Sequence, residues 1–574
     1  MGGNRELIVA IDFGTTFTGV CWMETSRPFT HNTIGLWPGE DGTKKSSPKV
    51  PSELLKTGDT YQWGFQIPHQ TAAREKLFKL RLHDDDTPPG ASEAETLTRI
   101  YLECLHKHVW ETLTDRFSAE VLRSVPIHFV ITVPAIWTES AKIKTLNAAR
   151  DAGFRGDRET QVVSEPEAAA IYTLVDKKDA AMLEVGKRYV VCDAGGGTVD
   201  LITYKVTQMR ELMVEEVTEG NGGKWGSTIL NKRFRDYLKN KNPTYWDEAR
   251  LCEPMQEFET YKKTWRPEAP PMVLVVDRSI DPERQFEVPQ KDMTEIIFEP
   301  IIQHVLDLIR GQIEAAGDGV AAVLMVGGFS ESNYLRRRVQ EAVDHQGIAV
   351  LQPGSPWTAV VRGAAMMGLR SVAPHLGQIQ VTSRVARQSY GVELSVPFDD
   401  KVHDKSKKYG DRGGWKGLVK TMNWFIVKGK SYPEIDVAKL DFVYNIPKSK
   451  SGKKPDKEMV IYGHSASTPP PVYKDGDTIK IARLRLDQNR VSQEALNEVG
   501  VHWTWFHRYH KIAGALEVSY GSALIEYTVK LAGKVHDVIT VHYDEEVSKG
   551  DTGSDVSVLA LLGVDEDLDS PESR

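Results

Sequence analysis

The sequence predicts an α/β protein whose last third turns β-rich. Two stretches, "LIVAIDFGTTFTGVCW" near the start and "YVVCDAGGGTVDLITYKV" ending at residue 206, each read as a strand, a tight glycine turn and a second strand. Around them, strand-like runs lead into helical patterns, as where "IHFVITVPAIW" precedes "TESAKIKTLNAARDAGF". From about residue 376 the helical periodicity gives way to short alternating segments such as "IEYTVKL", in which Tyr527 and Val529 share one face and Thr528 and Lys530 the other.

A chain of 574 residues exceeds what one hydrophobic core serves, so several cores are expected. Hydrophobic residues at 40% and charged residues at 26% argue for a folded, globular chain. The 72 basic and 80 acidic side chains leave a formal charge of -8, without the basic field that nucleic acid requires. Cys21, Cys104, Cys192 and Cys252 form no CxxC or Cys/His zinc spacing and read as reduced structural thiols. The start lacks the pattern of a secretory signal, Glu6 stands where a myristoylation signal needs Ser or Thr, and no apolar run is long enough for a transmembrane helix. The expected location is cytoplasmic.

The two hairpins share a chemistry. Glycines at 14, 195, 196 and 197 let backbone amides approach an anion with no side chain between, and Thr15, Thr16 and Thr198 add hydroxyls. Asp12, Asp193 and Asp200 repel bare phosphate, yet they suit hydrated Mg²⁺ between carboxylates and a polyphosphate. One such turn is ordinary β-hairpin chemistry. Two in one chain point to a nucleotide, although neither GxxxxGK[ST] nor a Rossmann GxGxxG is present.

In the helix after the first hairpin domain's "VITV" strand, Ala141, Ile143, Leu146 and Ala149 share an apolar face. Glu165-Pro166 then opens another helix, with Glu165 favoured there by the helix terminus alone and also placed to orient water. "VAAVLMVGGFSESNYLRRRVQEAV" reads as strand, turn and helix, with Ser330 as cap and with Gly327 and Gly328 able to bring backbone beside an adenosine or phosphate. "EPMQEFETYKKTW" reads as a helix in which Glu259 faces Lys262 and Lys263, a pattern that a solvated salt-bridge face also explains.

As a set, "IDFGTTFTGV", "VCDAGGGTVDL", "SEPEAAA" and "VGGFSESNYL" resemble the phosphate, connecting and adenosine motifs of the actin and sugar-kinase superfamily, and most specifically the heat-shock protein 70 family, over residues 6 to 370. The resemblance implies a duplicated, actin-like two-lobed ATPase domain with ATP or ADP in the central cleft. It implies that Asp12 and Asp200 hold Mg²⁺ and its waters, that Asp193 and Glu165 support metal and hydrolytic water, and that Gly14, Thr15, Thr16, Gly195, Gly196, Gly197 and Thr198 line the phosphates. Glu259, Lys262, Lys263, Gly327 and Gly328 would surround adenosine. The family's lysine near the γ-phosphate matches Lys79, with Lys76 as the alternative register. Phe329 and Trp357 depart from the family's serine and acidic residue, which touches nucleotide selectivity and exchange.

On this resemblance residues 1–375 form the nucleotide-binding domain, with 1–37 and 126–188 as first core, 38–125 as its outer insertion, 189–225 and 315–375 as second core and 226–314 as its insertion. Residues 376–548 take the place of the peptide-binding β-sandwich, and 549–574 form an acidic tail. The linker "LLLLD" is not found, the sequence after the last β-rich segment is too short for the family's helical lid and does not carry "EEVD", and on this resemblance the chain is expected to be similar to the family's divergent lidless branch. "WFI" at 424–426 suits a core strand better than a peptide groove, and His502, His507 and His510 read as structural rather than metal-binding. The function expected is Mg-dependent ATP binding with slow hydrolysis, coupled to conformational change and to a client protein or unfolded peptide, with an adaptor or exchange protein as further partner. The alternatives are an ATP-responsive scaffold and a small-molecule kinase.

Overall fold

The computed structural model describes residues 5–539 apart from 69–70, 72, 85–91, 180, 276–284, 410–416, 435–436, 448–456, 487–490, 500, 504–507 and 532–533. The chain divides into two compact units, residues 1–382 and 383–574. The acidic tail and His507 lie outside the described residues.

In the first unit, β1 (Leu7–Asp12) returns as β2 (Phe17–Glu24), which pairs with β3 (Arg27–Thr33) and with the short β4 (Val50–Pro51). The helices α1 (Phe78–Asp84) and α2 (Glu93–Phe117) precede β5 (Ile127–Val133), α3 (Glu139–Asp151), β6 (Gln161–Ser164) and α4 (Glu165–Asp179). The sheet runs β6-β5-β1-β2-β3, with β1 antiparallel to β2 and parallel to β5.

The pattern then repeats. The second hairpin is β7 (Arg188–Ala194) and β8 (Val199–Gln208), followed by β9 (Leu212–Glu216) and β10 (Asn221–Gly223). Helices α5 (Thr228–Lys241), α6 (Glu248–Thr264) and α7 (Glu299–Ala316) lead to β11 (Val320–Val326), α8 (Asn333–Val343), β12 (Ala349–Leu351) and α9 (Ala359–Val372). Strand β7 is antiparallel to β8 and parallel to β11, which in turn pairs in parallel with β12. Parallel strands need both faces covered, which explains their unbroken apolar runs: all seven residues of β5 are buried. One core draws Ile8, Ala10 and Val130 from the first sheet, Val191, Ile202 and Leu324 from the second, and Ala168, Ala169, Val361 and Ala364 from α4 and α9. The expected α/β class and two-lobed duplication are therefore present.

The second unit carries two antiparallel sheets. Strands Ser389–Pro397, Leu418–Ile426, Lys457–His464 and Ile479–Leu486 form one, and Ala438–Pro447, Arg508–Tyr520, Ile525–Leu531 and Lys534–Ile539 form most of the other. Tyr527 and Val529 are buried while Thr528 and Lys530 are partly exposed, the alternation of a half-buried strand. Ile426 is fully buried and the Trp424 indole donates to the Pro470 carbonyl at 2.8 Å. His510 is buried in the strand Arg508–Tyr520.

The first lobe also holds His31, His106, His108 and His128, all pushed below the usual imidazole range chiefly by burial, with His31 down to about 4. A group with a depressed folded pKa stabilises fully above its unfolded value, 6.5, and that contribution is lost as pH falls toward the folded value. Wild type should therefore lose stability relative to a His31→Gln variant by about 1 kcal/mol between pH 7.5 and 5, after allowance for partial exposure. Urea denaturation at both pH values measures it, and an unchanged difference refutes the assignment.

Candidate nucleotide site

The two hairpin turns meet. A β-carbon added at Gly196 would collide with Thr16 Oγ1, and one at Gly197 would lie 2.7 Å from Thr15 Oγ1. Only glycine allows the loops of opposite lobes to close on each other in this way. The amides of Ser227 and Thr228, at the start of α5, donate to the Gly195 and Gly196 carbonyls at 3.1 and 2.9 Å and hold the second loop from behind. Ser52 Oγ donates to the Gly14 carbonyl at 2.7 Å and does the same for the first.

Between the loops lies a cleft with about 910 Å³ of empty space, open to solvent. Asp12, Gly14, Thr15, Thr16, Glu165, Asp193, Gly195, Gly196, Gly197, Thr198, Glu259, Lys262, Lys263, Gly327 and Gly328 all line it. Asp200 and Lys79 stand behind the wall. Asp200 is the cross-strand partner of Asp193 in the β7–β8 hairpin, so two carboxyl groups sit directly opposite, an arrangement that costs stability when both are ionised. Lys79 Nζ donates to Glu165 Oε1 at 2.6 Å and packs 5.4 Å from the Phe13 ring and 5.2 Å from the Trp137 ring. Lys76 is exposed and 3.4 Å from Glu53.

The electrostatics follow from burial and crowding. Asp193 is held well above the usual carboxylate range by desolvation first, then by Glu165, Asp200 and Asp12, with Lys49 opposing. Glu165 is likewise raised by desolvation, against Lys79 and with Asp12 and Asp200. Four carboxylates thus share a site with two ammonium groups, Lys49 and Lys79. The excess of hard oxygen donors is the composition that suits a divalent cation such as Mg²⁺, and the residues present fit that ion.

On the far side of the cleft, Lys262 Nζ bridges Glu259 at 2.7 Å and Asn231 Oδ1 at 2.9 Å. Lys263 reaches Glu331 at 3.0 Å and lies 4.5 Å above the Trp357 ring, whose edge meets Phe17 at 5.4 Å. Trp357 therefore puts an aromatic surface into the cleft where the resemblance anticipated a carboxylate. Phe329 is buried and contributes to the same wall. Gly327 has φ 84°, and a side chain there would collide with Asp193 Oδ1. The cap of α8 is Ser332, whose Oγ accepts from the Leu335 amide at 3.4 Å; Ser330, expected as the cap, instead donates to the Gly327 carbonyl at 2.7 Å and shapes the glycine turn. The reason is one extra 3-10 turn, Phe329–Glu331, before the helix begins.

Sequence reasoning missed Lys49, whose Nζ donates to Asp12 Oδ2 at 2.5 Å while Thr132 Oγ1 donates to Oδ1 at 3.2 Å. Nothing local in "SSPKVPS" marks Lys49; only strand register brings it to Asp12. Phe17, Ser227, Thr228 and Ser332 also line the cleft without a sequence signal strong enough to have singled them out.

No helix among the described residues is long and apolar enough to cross a membrane. Comparison with known proteins agrees with the geometry. The heat shock 70 kDa protein 12A of Homo sapiens is 23% identical over 476 residues, covering 63% of this chain and 69% of that protein. The heat shock 70 kDa protein 12B of Homo sapiens is 24% identical over 523 residues, covering 70% and 73%. The chaperone protein HscA homolog of Rickettsia conorii is 26% identical over 421 residues, covering 70% of this chain and 62% of its own length. The family model described as Hsp70 protein matches residues 107–406, more than half of the chain. With a duplicated α/β fold closing two glycine loops on a carboxylate-rich cleft, the chain belongs to the heat-shock protein 70 family, proteins of the ATP-binding, chaperone-like kind.

Proposed function

We propose that the chain binds ATP and ADP with Mg²⁺ in this cleft, hydrolyses ATP slowly, and uses the exchange of nucleotide to switch a conformation read by a protein or peptide partner. The observation that carries the reading is the contact of Thr15 and Thr16 with Gly196 and Gly197 beside Asp12, Asp193 and Glu165. Backbone amides of both turns and the threonine hydroxyls bind the phosphates. Asp12, Asp193 and Asp200 would hold Mg²⁺, partly through water, and when bound it would supply positive charge against the polyphosphate. Glu165, kept in place by Lys79, orients the attacking water and accepts its hydrogen bond. Glu259, Lys262 and Lys263 face the nucleoside, with Gly327 and Gly328 letting backbone approach it. A state-dependent partner, whether client, unfolded peptide, adaptor or exchange protein, requires different interaction energies in the two nucleotide states. Buried thiols such as Cys21 and Cys192 suit the reducing cytoplasm to which this reading assigns the protein.

Calorimetric titration with ATP and ADP, with and without Mg²⁺, followed by product quantification, tests the reading. Wild type should bind both nucleotides and release phosphate, while Asp12→Asn and Asp200→Asn should lower turnover by about 10²-fold or more, the loss typical of removing a preorganised electrostatic group. Absence of nucleotide binding refutes it. Binding without turnover above the Asp12→Asn protein makes the chain an ATP-responsive scaffold, and ATP-dependent labelling of a metabolite, lost in Asp200→Asn, makes it a small-molecule kinase.

A further inference from the structure

Lys49 is nearly buried, and its path to Asp12 is built by three adjacent strands. Asp12 pairs with Gly19 in the β1–β2 ladder. Strand β4 pairs Val50 with Thr18 and Pro51 with Phe17, so the next step of the register sets Lys49 opposite Gly19. The lysine stem then crosses the bare glycine: a β-carbon at Gly19 would lie 3.2 Å from Lys49 Cγ and 3.3 Å from Cε. Its ammonium ends 2.5 Å from Asp12 Oδ2, in the wall of the cleft beside the first phosphate turn.

A buried lysine carries a desolvation cost, and pairing with one carboxylate offsets only part of it. The row of Asp12, Gly19 and Lys49 places this ammonium in the wall of the cleft beside the first phosphate turn, where a bound anion would offset the rest of that cost. Lys262 and Lys263 are held on the opposite, nucleoside side by Glu259 and Glu331, and Lys79 is turned toward Glu165. Lys49 therefore supplies the positive charge on the Asp12 side of the cleft.

Resting on the nucleotide-binding reading above, we propose that Lys49 is a tethered cation of the phosphate site. Its ammonium cancels the charge of Asp12 and attracts the terminal phosphates, so that part of the nucleotide affinity does not depend on a divalent ion. Asp12 is correspondingly shared between a protein cation and a hydrated Mg²⁺, and the demand for Mg²⁺ is lower than four carboxylates without Lys49 would impose.

The test is equilibrium binding of ADP, ATP and inorganic tripolyphosphate to the full chain, each in excess Mg²⁺ and in EDTA, for wild type, Lys49→Met and the Lys49→Met/Asp12→Asn double variant. Circular dichroism establishes that each is folded, and the double variant, which leaves no buried charge unpaired, serves if Lys49→Met alone does not fold. Wild type should keep measurable binding in EDTA, weaker by less than about 30-fold than in Mg²⁺, and Lys49→Met should lose at least tenfold more than wild type on removal of Mg²⁺; in EDTA the double variant should bind at least tenfold more weakly than Asp12→Asn alone, which keeps the ammonium and is measured beside it. A merely structural lysine would lower affinity equally in both conditions, and that result overturns the proposal. So does wild-type binding that is tight in Mg²⁺ and abolished by EDTA, which leaves the nucleotide-binding reading intact. Failure of wild type to bind any of the three ligands in either condition removes both.

Discussion

Lys79→Ala should destabilise the first unit by about 3–5 kcal/mol, the usual cost of leaving one member of a buried ion pair without its partner. Lys79 is 1% exposed, and its ammonium is 2.6 Å from Glu165 and lies 5.4 and 5.2 Å from the centres of the Phe13 and Trp137 rings. Removing it strands Glu165 in a site already crowded by Asp12 and Asp200. Lys79→Met preserves most of the packing and isolates the charge. Combined with Glu165→Gln it removes both charges, so the double variant should be less destabilised than the sum of the single changes by at least about 2 kcal/mol. Urea denaturation of the four proteins measures the coupling, and additivity within about 0.5 kcal/mol would contradict it.

The same pair has a pH signature whose sign is determined by direction alone. The folded-state pKa of Glu165 is raised, so the folded form holds the proton more tightly than the unfolded chain, and stability attributable to this group falls as pH rises from the unfolded value, 4.5. Without Lys79 the folded pKa rises further. The deficit of Lys79→Met relative to wild type should shrink as pH is lowered from 8 to 6, where Glu165 takes up a proton, and a deficit independent of pH would show that Lys79 acts by packing alone.

Gly363→Ala should be comparably damaging, for a steric reason. Its β-carbon would collide with the Ala168 carbonyl oxygen and lie 2.5 Å from the Ala168 carbonyl carbon, both backbone atoms of α4 that cannot rotate away. The alanines at 168–170 are fully buried and let α4 approach α9 where Val361, Gly363 and Ala364 face it. Since α4 begins at Glu165 and α9 follows Trp357, separating them also displaces two walls of the cleft. A loss of about 2–4 kcal/mol is expected, with weaker nucleotide binding. Gly311→Ala in α7 is the control: nothing lies within 4 Å of its added β-carbon, so helix propensity should stabilise by about 0.5–1 kcal/mol. Equal effects of the two substitutions in urea denaturation would refute the close-approach argument.

Much of the architecture was legible because its signals are local. An aspartate at a strand end followed by glycines and threonines marks each hairpin, and the repetition of that pattern at Asp12 and Asp193 announces two lobes before any pairing is known. The alternation at Tyr527–Lys530 marks a half-buried strand for the same reason, since side chains on a strand point alternately to two faces. The Ser330 cap failed on a local ambiguity: two serines two residues apart compete, and the intervening 3-10 turn selected Ser332.

The sequence by itself determined the elements that hold phosphate: glycine where backbone must come close, hydroxyls in the turn, carboxylates at the strand ends. Tertiary structure alone decided which charges meet. Lys79 and Glu165 are 86 positions apart and Lys49 and Asp12 are 37 apart, and no periodicity connects either pair. Their contacts arise from strand register and helix packing, where an ammonium 2.5 Å from a buried carboxylate is set by the whole sheet rather than by the residues flanking it.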